Sequence, residues 1–105
     1  MHKLVLLFSQ PEDPVEFDRR WSEEFVTIIE RLPDLRRVSV ARISGVATGE
    51  GAPYLLHEFL FDNREALMQA MGSPQGQAAG QALMALAHGK VTICFAEHHE
   101  MSLPA

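Results

Sequence analysis

Cysteine is almost missing from this chain. Cys94 is its only one, so an internal disulfide is excluded and the sequence suits a reducing compartment, with the cytoplasm as the expected location. Cys94 falls between Ile93 and Phe95 with no general base beside it in sequence, so it reads as an inert buried thiol rather than a nucleophile. Positive charge is scarce as well. Nine Lys and Arg stand against fourteen Asp and Glu, a formal charge of -5. That balance favours solubility and argues against a general binder of nucleic-acid backbones. The only basic doublets, Arg19-Arg20 and Arg36-Arg37, read as solvated surface. No apolar run approaches the length of a membrane span. The stretch from Leu4 to Phe8 is too short for a signal peptide and is followed by Gln10-Pro11-Glu12-Asp13-Pro14. No phosphate-cradling motif is present: Gly45, Gly49 and Gly51 have the wrong spacing, with no Lys-Ser/Thr after them. Flavin and nicotinamide signatures are absent too, and no cofactor is expected. His98-His99, flanked by Glu97 and Glu100, bring metal-ligand residue types together, but adjacent histidines in an extended segment point apart, and no metal site is assigned.

What the chain does have is a dense apolar stretch, Tyr54 to Phe61 (YLLHEFLF), interrupted only by His57 and Glu58. Its aromatic and leucine content favours a strand. Successive side chains of a strand point to opposite faces, so Leu55, His57, Phe59 and Phe61 share one face, and Tyr54, Leu56, Glu58 and Leu60 the other. Both faces look buried. The chain of 105 residues is the size of one domain, taken here as 1–98 with a tail at 99–105.

The other elements follow in order. Lys3 to Ser9 reads as a strand. Asp13 is placed to cap a helix from Pro14 to Arg31, with Pro14 at its first position and Glu16 in its first turn. Phe17, Trp21, Phe25, Ile28 and Leu32 form its apolar stripe; Asp18 falls mostly with the polar side. Arg36 to Ile43 reads as a more polar, edge strand. Residues 44–53 form a glycine-containing loop, read either as a flap over a pocket or as a plain hairpin connection. Asp62, with Glu65 three residues on, is expected to cap the next helix. Ser73 and Pro74 restart it after Gly72. The small residues that follow, Gly76 and Gly80 among them, would let the helix approach a sheet or the first helix closely, and Gly89 would form its C-cap. Lys90 to Glu97 is the last strand.

The order strand, helix, strand, strand, helix, strand predicts an α+β, ferredoxin-like βαββαβ fold, the split βαβ arrangement, with an antiparallel sheet in the order 4-1-3-2 and both helices on one face. Apolar residues on both faces of the first, third and last strands then call for a partner over the other face. A second copy, stacked sheet to sheet, is the expected homodimer, and no nucleic acid or membrane partner is expected.

At this point the chain resembles the EthD family, small proteins of the dimeric α+β barrel type named for ethyl tert-butyl ether degradation. The resemblance rests on the order and spacing of several fragments. They are Pro11-Glu12-Asp13-Pro14, Phe17-Asp18-Arg19, Leu32-Pro33-Asp34-Leu35-Arg36-Arg37, Glu58-Phe59-Leu60-Phe61-Asp62, Glu65-Ala66-Leu67, Ser73-Pro74-Gln75-Gly76-Gln77-Ala78 and Phe95-Ala96-Glu97. Two positions depart from the family pattern. Phe25 stands where many members have a histidine on the first helix, and Asp34 where glycine is usual in the turn. The resemblance implies a dimeric α+β barrel. It does not carry over a single activity, since the family has no single agreed one.

Glu58 is the candidate catalytic residue. A carboxylate on a central apolar strand is costly unless paired, and in a cleft between sheet and helices burial would raise its pKa toward the range of a general base. The alternative is a structural ion pair with Arg37, Arg42 or a second subunit. His57, on the opposite face, is expected at the subunit interface. Trp21, Phe25, Tyr54 and Met68 are the candidate ligand contacts, with core filling as the simpler account of Trp21. The function these residues suggest is a homodimer binding a small hydrophobic organic molecule, with degradation or tailoring by proton transfer at Glu58. A non-catalytic binding or accessory protein and a dimer without a ligand are the alternatives.

Overall fold

A computed structural model describes residues 1–104. Strand β1 (His2–Ser9) leads through a proline-bracketed turn to helix α1 (Pro14–Arg20). Asp13 caps that helix as its sequence predicts: Oδ1 accepts from the Glu16 amide at 3.2 Å, and Pro14 takes the first turn, where its missing amide is harmless. The helical run then widens into a π-helical turn (Trp21–Phe25) before closing with α2 (Val26–Ile29). In a regular α-helix a residue four positions on drifts by about 40° around the axis. The wider turn takes back part of that drift, which keeps Trp21 and Phe25 both directed at the sheet.

Pro33 prevents the helix from continuing, and Asp34 turns the chain at φ 61°. That is the left-handed region, where glycine carries no steric penalty and an L-residue does. Strands β2 (Arg37–Arg42) and β3 (Pro53–Phe61) follow. The loop between them turns through Gly49 and Gly51 at φ 108° and 97°. Helices α3 (Arg64–Gly72) and α4 (Pro74–Ala87) and strand β4 (Val91–Glu97) complete the chain.

Three local expectations change. Asn63, not Asp62, caps α3, its Oδ1 accepting from the Ala66 amide at 2.8 Å; Asp62 is instead drawn out by Arg36 at 2.9 Å. The left-handed turn after α4 begins one residue before Gly89, at His88 with φ 48°. Close packing at Gly76 is against the end of α3 rather than against the sheet or the first helix. A Cβ there would collide with the backbone carbonyls of Ala70 and Met71, while one at Gly80 would meet nothing.

The sheet is antiparallel throughout, in the order β2-β3-β1-β4, the 4-1-3-2 arrangement of a ferredoxin-like α+β fold. The helices cover one face. Beneath them Leu4, Leu6 and Phe8 of β1 meet Leu55, Phe59 and Phe61 of β3, all between 0% and 2% exposed. Each such side chain contributes roughly 1.5–3 kcal/mol by leaving water. The other face is open. After β4 the tail crosses the end of the sheet: the His98 amide bonds the Met1 carbonyl at 2.9 Å, and Glu100 reaches Arg37 on the opposite edge strand at 3.4 Å. No helix among the described residues is long and apolar enough to cross a membrane.

Candidate functional site

The two polar residues of β3 lie on the faces opposite to those expected. His57 points under the helices and is 1% exposed. It lies on the helix-covered face rather than the open one, so the expected interface role is corrected. Glu58 points to the open face, where the Lys3 ammonium lies 3.1 Å away and the Ser39 hydroxyl donates at 3.3 Å. The physical reason lies in β1. Its Leu4, Leu6 and Phe8 pair with the His57 side of β3, and this face, richer in aromatic rings, is the one the helices bury. Alternation alone could not tell two apolar faces apart. The partner considered for Glu58 was an arginine, but the register sets Lys3 and Ser39 on its neighbouring strands.

Tyr54 also changes face. Ser9 pairs with Pro53 and Phe8 with Leu55, which leaves Tyr54 as the extra residue of a β-bulge. Its ring meets Phe17 edge-on at 5.6 Å, and its hydroxyl donates to Asp18 at 2.9 Å. Burial and the adjoining Asp18 carboxylate both push the phenol upward in pKa.

A connected polar chain results along the helix-facing side. Asp18 accepts from Tyr54 and from Arg42 at 3.3 Å. The Arg42 guanidinium stands over the Trp21 ring at 5.8 Å. Trp21 Nε1 in turn donates to Nδ1 of His57 at 3.3 Å. The imidazole is packed by aromatic rings: Trp21 at 5.4 Å, Phe25 at 6.2 Å and Phe59 at 4.2 Å between centroids. Burial among these rings pushes its pKa from 6.5 down to about 4, so it is neutral at ordinary pH.

Trp21, Phe25 and His57 are thus one cluster, with Tyr54 reaching it through Asp18 and Arg42. Met68 is half-buried on α3 and packs on the same core. In the sequence Asp18 falls with the polar side of its helix and Arg42 stands only as an alternative partner of Glu58, so neither points to this cluster. The signal available was the spacing of Asp18 and Trp21, three apart on one helix and therefore neighbours on its surface. Cys94, expected to be buried, is exposed on the open face opposite Val5.

Other hollows lie elsewhere among the described residues, one of about 440 Å³ between Ile28, Arg31, Pro74, Gln75 and Ala78. Another of about 340 Å³ is bounded by Pro11, Phe17, Leu86, His88 and Lys90. One of about 150 Å³ sits on the open face between Lys3, Arg37, Ser39, Glu58 and the tail residues His98 and Glu100. A small apolar one of about 80 Å³ lies between β1, α4 and Ile93. His98 and His99 bond different carboxylates, Glu100 and Glu97.

No family model matches the chain. A curated protein of Rhodococcus erythropolis, described as an uncharacterized 11.0 kDa protein in the thcB-thcC intergenic region, is 27% identical over 104 residues, covering 99% of this chain and 100% of its own. The crystal structure of an ethyl tert-butyl ether (EthD) family protein from Bacillus halodurans is 35% identical. It covers 94% of this chain and 99% of its own, with a TM-score of 0.88. A dimeric ferredoxin-like protein of unknown function from Jannaschia sp. is 19% identical, covers 93% and 100%, and has a TM-score of 0.68; at that identity it shows the shared fold alone.

Proposed function

The chain belongs to the EthD family, and from that premise we propose that it acts as a homodimer whose subunits each bind a small hydrophobic organic molecule at the aromatic cluster around His57. The observation that carries this reading is the neutral imidazole itself. It is enclosed by Trp21, Phe25 and Phe59, and Trp21 is its one hydrogen-bonding partner among the described residues. Beyond an acceptor for the Trp21 indole N–H, a purely structural core gains nothing from a histidine here, because an apolar residue of similar volume avoids the cost of burying polar atoms. A binding wall does gain: a few placed polar groups in an apolar surround orient a ligand. The helix-facing side of β2 adjoins the cluster. There Val40, the direct neighbour of His57, is 44% exposed, a place for an apolar body to lie.

The dimer is supported by the open face. Val5, Leu7 and Leu56 are only half-buried there, next to exposed Ala41, Thr92 and Cys94. A second copy stacked on this face would cover them, and the Jannaschia neighbour of the same fold is described as dimeric.

Trp21 is the only tryptophan, so its fluorescence reports on the cluster directly. Titration with a panel of small aromatic and ether compounds, alongside native mass spectrometry, is the test. Saturable changes at Trp21 in a dimer are expected. A monomer at micromolar concentration would count against the assembly, and a flat titration across the panel against the site.

A second reading keeps Glu58 as the group that transfers a proton. A second copy over the open face would enclose the hollow of about 150 Å³ that Glu58 lines. Against it stands the Lys3 ion pair, which occupies the carboxylate. Glu58→Gln separates the two: lost turnover with the dimer intact supports the catalytic reading, and unchanged behaviour removes it.

A further inference from the structure

The hydrogen bond between Trp21 and His57 has a fixed chemical direction. An indole N–H is a donor only. Nδ1 of His57 therefore accepts, at 3.3 Å. In a neutral imidazole with Nδ1 accepting, the proton resides on Nε2. That N–H has no hydrogen-bonding partner among the described residues, yet no buried side-chain nitrogen or oxygen among them lacks one. The 1% of His57 that stays exposed therefore includes Nε2. A proton is held out, unpartnered, from an otherwise sealed ring.

Neither nitrogen is then free to act as a base. The lone pair of Nδ1 is engaged by Trp21, and Nε2 has none to offer. What Nε2–H can do is donate to an oxygen, including one on which negative charge develops. The groups around the ring sharpen this role. Phe25 and Phe59 supply no competing donor or acceptor, and the nearest charges in the cluster, Arg42 and Asp18, are engaged with each other at 3.3 Å.

We infer that His57 is a hydrogen-bond donor set by Trp21, and that the molecule bound here is a hydrophobic compound bearing a carbonyl or enolate oxygen that accepts from Nε2. Trp21 is the positioning residue, because it selects the tautomer. The inference rests on the reading that a hydrophobic molecule occupies this cluster, and its test keeps the two apart.

The first measurement is the ring nitrogen chemical shifts of His57 in the intact wild-type protein, by long-range ¹H–¹⁵N correlation at neutral pH. The Nε2–H tautomer is expected, with loss of that selectivity in Trp21→Phe. A wild-type Nδ1–H tautomer overturns the inference, and no variant is needed to see it. The second uses acetophenone and α-methylstyrene, which match in shape but differ in C=O against C=CH2, titrated while following the Trp21 indole N–H signal. His57→Phe is expected to weaken acetophenone about five- to tenfold more than α-methylstyrene, the worth of one neutral hydrogen bond. Equal weakening of both overturns the donor role and leaves the hydrophobic site standing. If neither probe moves the signal at millimolar concentration, the hydrophobic site falls, and the ligand class with it.

Discussion

Lowering the pH from about 7 to 5 is expected to remove about 2 kcal/mol of stability through His57 alone. In the folded chain its pKa is pushed to about 4 from the ordinary 6.5 by burial. The unfolded chain takes up a proton as pH falls through 6.5, and the folded one does not until near 4. The stabilisation is therefore whole above 6.5 and is lost progressively as pH falls toward 4. With about 1.36 kcal/mol per unit of separation, the full loss approaches about 3 kcal/mol. Most of it appears above pH 5, before the carboxylates dominate. The assay is urea unfolding at fixed protein concentration, since a dimer makes apparent stability concentration-dependent, across pH 7.5 to 5 for wild type and His57→Phe. Both share the solvent-facing histidines and the carboxylates, so the difference between their pH slopes isolates residue 57. The wild type should lose stability faster by about 2 kcal/mol over the window. Parallel slopes would refute the argument, because they would mean that the imidazole is charged, or water-exposed, in the folded protein.

Three further outcomes follow from the backbone and from the open face. Gly76→Ala should destabilise by about 1–3 kcal/mol or more, measured by thermal or urea unfolding, because the new methyl meets backbone carbonyls that cannot swing aside; Gly80→Ala, with nothing near it, should be neutral to stabilising. Asp34→Gly should stabilise by up to about 1 kcal/mol in the same assay, since it relieves a side chain held at φ 61°, less the entropy glycine returns to the unfolded chain. Cys94, the only thiol, should react readily with a thiol reagent at concentrations where the protein dissociates and be protected where it is dimeric; a rate independent of protein concentration would argue against an interface on the open face.

The strand order was legible because each element carries its own signal. Asp13 with Pro14 starts a helix, Pro33 stops one, and short apolar runs rich in leucine and aromatic residues mark β1 and β3. What could not be read was orientation. A strand apolar on both sides, such as Leu55 to Phe61, does not disclose which side the helices will choose, and His57 and Glu58 exchanged roles for that reason. Tyr54 was misassigned because a bulge shifts register by one residue without leaving a local mark. The chain from Tyr54 through Asp18 and Arg42 to Trp21 joins three elements far apart in sequence, and pairings of that kind depend on tertiary register rather than on spacing. Asp62 and Asn63 are both good caps, and propensity alone does not choose between adjacent ones.

The π-helical turn at Trp21–Phe25 makes this part of the chain tolerant of a lost residue in a way that substitution does not reveal. A π turn is a helix that has absorbed one extra residue. Deleting one residue within it would restore a regular α-helix and leave the segments on either side facing nearly as they do now. Ile29 would keep its place in the core, and Phe17 and Asp18 would keep theirs beside Tyr54 and Arg42. A single codon lost here would be taken up by the turn rather than passed along the helix. Single-residue deletions scanned from 18 to 28 should therefore be tolerated best at 22–24, the exposed positions between the packed Trp21 and Phe25.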